Sequence, residues 1–161
     1  MVKLEHMFRL QKELDAVIIK SKKIKVGEKI TKKKTIAFKT EFGEFLNEVK
    51  DFKFWSNKPA SEKEVILEEF VDGVHFLLTI SLDRGYEKWM DEIEPDRYLR
   101  ESFDDLSLNI FNNRLTSCGE VREAFEMMLS FVLKLGFSEN DVIDAYNRKN
   151  NINHNRQEEG Y

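Results

Sequence analysis

Between Leu4 and Ile19 the apolar side chains Leu4, Met7, Leu10, Leu14, Val17 and Ile18 recur three and four residues apart, so the segment reads as an amphipathic helix. Lys20 to Lys34 loses that pattern, is rich in Lys and contains Gly27, and reads as a solvated connector. The helical pattern returns from about Thr35 to Lys53 through Ile36, Phe38, Phe42, Phe45, Leu46 and Val49. Asn57-Lys58-Pro59-Ala60 breaks it, because proline disfavours helix in the residue before it. Ser61 and Glu64 stand at capping-box spacing and predict the start of a third helix there, running to about Asp83 with Gly85 as its C-terminal cap. Residues 86–98, with Pro95, read as a loop. Further helices are expected at about 99–115, 118–135 and 139–152, with N-caps at Ser117 and Ser138 and a stop at Gly136. The last residues, from Asn153, are polar. The expectation is an all-α helical bundle of about six helices, forming one domain over residues 1–161.

Composition narrows this reading. The chain has 161 residues, 41% of them hydrophobic, with 13 Phe, so it can fill a core despite its charge density. Its seven Gly and two Pro favour long helices over a turn-rich β architecture. A net charge of −4 argues against a nucleic-acid polymer as partner. The single cysteine, Cys118, excludes an intramolecular disulfide and suits a reducing compartment. With no apolar run near the roughly 20 residues a span needs, and no signal pattern in MVKLEHMF, the expected address is the cytoplasm, with no membrane partner.

Four carboxylates carry the candidate chemistry. Glu41 and Glu44 are three residues apart on a predicted helix, and Glu69 and Asp72 repeat that spacing on the next. Each pair shares a helix face, where like charges repel unless something neutralises them. A hard divalent cation such as Mg2+, which prefers oxygen ligands and binds phosphate oxygens as well, would do so. Chance spacing on a solvated face is the competing reading, since the chain holds 30 acidic residues. The surroundings of the second pair, Phe70, Val71, Val74, Phe76 and Leu77, favour an interior cleft instead. Glu48 shares the face of Glu44, either as a carboxylate supporting the ligands from behind or as a solvated residue. His75 reads as a helix-packing residue with a local hydrogen bond rather than a ligand.

Three blocks resemble a known family. They are Ala37 to Glu48 leading through Phe52-Lys53-Phe54-Trp55-Ser56; Glu69-Phe70-Val71-Asp72-Gly73-Val74-His75-Phe76; and Tyr146 to Tyr161, which contains a KNxxNxxRQxxGY pattern. Together they are similar to the dimeric, all-α dUTP pyrophosphatases, relatives of the MazG-type pyrophosphohydrolases. The resemblance implies Mg2+-dependent hydrolysis of dUTP, and also dUDP, to dUMP by a homodimer. It implies Glu41, Glu44, Glu69 and Asp72 as magnesium ligands, with Glu44 also activating the water. It gives Lys149, Arg156 and Tyr161 to the phosphates and Asn150 to the uracil edge, and it places Trp55 and Phe76 at the nucleoside. Gln11 falls in a base-contacting motif in which Asp15 stands where many members carry Asn. Lys53 and Asn153, inside the matched blocks, complete the substrate-binding set. The polar tail, about 153–161, is expected to be mobile until nucleotide orders it. A MazG-like enzyme for another nucleotide, or a non-enzymatic helical interaction protein, are the alternatives the acidic motifs leave open.

Overall fold

The computed structural model describes residues 4–90 and 93–160. Its helices are α1 (Glu5–Lys22), α2 (Glu28–Val49), α3 (Lys63–Arg84), α4 (Phe103–Asn112), α5 (Cys118–Lys134) and α6 (Glu139–Glu158). Two short 3-10 turns, Glu87–Trp89 and Pro95–Tyr98, fill the segment read as a loop. The fold is all-α.

Helix α3 is the hub, packing on α2 along its length and meeting α1, α5 and α6. Twelve of its residues are buried, from Ile66 and Leu67 through Phe70, Val71 and Val74 to Ser81, because a helix apolar nearly all round must lie inside. Phenylalanines knit the layers: Phe42 and Phe45 of α2 meet Phe131 of α5, with Phe45 and Phe131 edge-on at 5.2 Å, and Phe70 of α3 packs edge-on against Phe45. Each such buried ring contributes on the order of 2 kcal/mol.

Most caps lie where the pattern predicts. Gly85 ends α3 in the left-handed region at φ 69°, and Ser117 and Ser138 cap α5 and α6 through complete capping boxes with Glu120 and Asp141. Ser61 is a correction. Helix α3 begins at Lys63 without a side-chain cap, because the Ser61 hydroxyl donates instead to Glu48 and accepts from Lys50 Nζ at 2.9 Å. The Lys-rich segment is a second correction. Only Lys23 to Gly27 connects, and α2 is helical from Glu28 because Lys34 and Thr31 are drawn to Asp83 of α3, at 2.8 Å and 3.1 Å. The polar tail is helical through Glu158, with Ser21 of α1 donating to Gln157 Oε1 at 3.2 Å. Helix α4 is shorter than expected and starts at its Ser102 cap.

Candidate active site

The α2/α3 pair brings the acidic motifs together. Carboxylate oxygens of Glu41, Glu69 and Asp72 lie within 4.8 Å of one another, at half-buried positions. Burial, then the charges of Asp72, Glu44 and Glu69, push the Glu41 carboxyl up to about 7. Glu69 and Asp72 are raised too, with burial the main cause in each. Glu44 is exposed and outside this trio, but its charge is felt by Glu41 and Glu69. Three converging hard oxygen donors that resist ionising together fit a divalent cation of the Mg2+ kind.

Helix α6 supplies the positive charge. Lys149 Nζ sits 2.8 Å from Asp72 Oδ2 and 3.1 Å from Glu68 Oε1, so an ammonium already partly neutralises the trio's edge. A cavity of about 330 Å³ opens beside it. Glu41, Asp72, Lys149, Asn153 and Arg156 border one part of it, and Leu14, Ile18, Ile24 and Ile30 give it apolar walls. A charged region continuous with an apolar slot suits a molecule that is anionic at one end and flat and weakly polar at the other.

A buried polar relay lies along the same cavity. Gln11 donates from Nε2 to Asp15 Oδ1 at 2.8 Å, and the Thr79 hydroxyl donates to Asp15 Oδ2 at 2.6 Å. Gln11 Oε1 faces His75 Nδ1 at 2.6 Å and accepts from the Tyr146 hydroxyl at 3.1 Å. Lys34 joins Thr79 to Asp83. Asp15 is therefore turned toward Gln11 and Thr79, with its carboxyl raised chiefly by burial.

The family comparison decides the class. A family model described as dUTPase matches residues 3–161. The chain belongs to the dUTPase family. No match was found among curated proteins. As a member of that family this dUTPase is a nucleotide pyrophosphohydrolase acting on a small nucleotide, and among the described residues no helix is long and apolar enough to cross a membrane.

The other expected site residues of the dUTPase divide by place. Gln11, Phe76, Lys149, Asn153 and Arg156 border the cavity. Asn150 is buried beside the Tyr146 hydroxyl and is not among the bordering residues. Lys53 and Trp55 do not border it either: Trp55 is 66% exposed and contacts Phe52 and Phe54 edge-on, while Lys53 lies over the Phe52 ring. Tyr161 falls outside the described residues. Sequence reasoning left Lys34, Thr79 and Asp83 out of the site altogether. A signal for them existed, since Glu69, Asp72, His75, Thr79 and Asp83 recur at three- and four-residue steps along an otherwise apolar helix.

Proposed function

We propose that this dUTPase hydrolyses dUTP, and dUDP as well, to dUMP with Mg2+ as cofactor. The observation that carries the reading is the trio Glu41, Glu69 and Asp72, converging beside a cavity that joins Lys149 and Arg156 to apolar walls from Leu14, Ile18, Ile24 and Ile30. Glu41, Glu44, Glu69 and Asp72 would hold the cation. When bound, Mg2+ supplies charge neutralisation at the phosphate oxygens and acidifies a water.

The chain's own groups then have separate tasks. Glu44, exposed and near enough for its charge to act on Glu41 and Glu69, takes a proton from the attacking water while the anhydride between the α- and β-phosphates breaks. Pyrophosphate leaves from dUTP, and phosphate from dUDP. Lys149, which pairs with Asp72 here, would turn its ammonium to the phosphates once Asp72 held a cation, and Arg156 would add a planar fork of donors. Tyr161 and Asn153 complete the phosphate end. Phe76 lines the nucleoside slot, with Gln11 and Asn150 at the base.

Lys53 and Trp55 stand on an exposed loop away from the cavity walls of their own chain. They serve a nucleotide in a second copy, which makes the active form a homodimer. The enzyme acts in the cytoplasm, on a small molecule rather than a nucleic-acid polymer.

Pyrophosphate release measured from dUTP, dCTP and dTTP, with and without Mg2+, tests the proposal. The expected outcome is rapid release from dUTP alone and none after chelation. Preference for dCTP or for a ribonucleotide would overturn it in favour of a MazG-like enzyme for another base.

A further inference from the structure

Lys149 is held by two carboxylates that differ in what else they serve. Its side chain, on α6, is 10% exposed, and its ammonium lies 2.8 Å from Asp72 Oδ2 and 3.1 Å from Glu68 Oε1. Glu68 and Asp72 are four residues apart, so they leave one face of α3 a turn apart and a single ammonium bridges them. Asp72 belongs to the carboxylate trio and borders the active-site cavity. Glu68 does neither. Its side chain is 56% exposed, and it borders a second cavity of about 330 Å³. Lys149 borders both cavities and so stands between the two.

We infer, resting on the proposed function, that Glu68 is a positioning residue that anchors the Lys149 ammonium at the phosphate end of the site. An ammonium has three donors, and the two carboxylates take two of them. Were Asp72 to hold a cation, Glu68 would be the carboxylate left to Lys149. A four-carbon side chain that stays anchored gives up less rotamer freedom when a phosphate arrives, and so binds it more tightly. Burial sharpens the need, because a charge taken from water without a partner is costly. Glu68 stands outside both the trio and the active-site cavity, so its effect on a bound nucleotide passes through Lys149.

Glu68→Gln keeps the shape of a half-exposed side chain and removes its charge. Titration calorimetry with Mg2+ and α,β-imido-dUTP, whose bridging nitrogen resists hydrolysis, reads affinity without turnover. The variant should bind this analogue roughly 3- to 10-fold more weakly, the scale of a partly exposed ion pair and its coupling. Deoxyuridine, which has no phosphate, should bind it as tightly as it binds wild type. With dUTP, KM should rise by a similar factor while kcat holds, because the lost contact is made in the ground state as well. In a Lys149→Met background, where the ammonium is already gone, adding Glu68→Gln should weaken analogue binding no further. Unchanged analogue affinity in the single variant would overturn the role. So would an equal loss for deoxyuridine, which marks a packing effect, or a further loss in the Lys149→Met background, which marks a direct contact. Failure of the wild-type enzyme to bind deoxyuridine or hydrolyse dUTP would instead overturn the proposed function, whereas dUTP hydrolysis with an unaffected Glu68→Gln variant would remove only the role of Glu68.

Discussion

At the scale of single residues, Glu41 couples the site to pH. Its ordinary carboxyl value is near 4.5, and in the folded, metal-free chain it is raised to about 7 by burial and by Asp72, Glu44 and Glu69. A raised value means that the folded state binds more protons than the unfolded state between those limits. The group's contribution to stability is then fully present below about pH 4.5 and is lost as pH rises through about 7. Glu41→Gln removes the charge that must form there, so the metal-free variant should melt higher than wild type at about pH 8 and nearly level with it at about pH 4.5. Solvent screening of a partly exposed group keeps the gain near 1 kcal/mol or less, roughly 2–4 °C for a chain this size. Thermal melts in chelator at both pH values check this; equal melting of the two proteins at the higher pH would show that the trio carries no strain. His75 pulls the other way in both proteins, since burial lowers its value and its contribution is lost as pH falls from about 6.5 toward 3, so it cancels in the comparison.

At the scale of elements, two serines with the same sequence signature behave differently. Ser117 accepts from the backbone N–H of Glu120 at 3.2 Å, and Glu120 reaches back to the Ser117 N–H at 3.0 Å. Ser117→Ala should therefore cost about 1 kcal/mol, read as a lower urea midpoint with unchanged slope. Ser61 has the same S-x-x-E spacing but caps nothing, because Glu48 and Lys50 at the end of α2 claim its hydroxyl. Capping is a local competition, and the sequence around Ser61 does not reveal that a carboxylate from another helix will win it. The same limit hid the first turn of α2. Thr31 and Lys34 look like solvated polar residues until Asp83, 52 and 49 positions away, supplies their partner. Periodicity over one helix was enough for the core and for the spacing of the acidic pairs, since both depend on neighbours one turn apart. The orientation of Asp15 and Gln11 toward Thr79 and His75 depends on how α1 meets α3, which no single helix encodes.

At the scale of the whole molecule, the exposed loop after α2 is the feature a single chain leaves unexplained. Phe54 is 92% exposed and Trp55 66%, a pair of large apolar rings that water does not favour. The family resemblance gives Trp55 to the nucleoside, yet its own chain's cavity is bordered by other residues. If a two-fold partner receives this loop, each site is built from two chains: the carboxylates of one and the Trp55 of the other. Two inactive variants then become a test. Glu41→Gln lacks a carboxylate, Trp55→Ala lacks the ring, and each alone should show little dUTP hydrolysis. Mixed in equal amounts and allowed to exchange subunits, about half of the dimers pair unlike chains, and each of these carries one complete site. Activity should then return to about a quarter of the wild-type value. It should not return if Trp55 serves its own chain, because every site would then lack one of the two groups. Sedimentation of the wild-type enzyme as a monomer at assay concentration would reject the shared site outright.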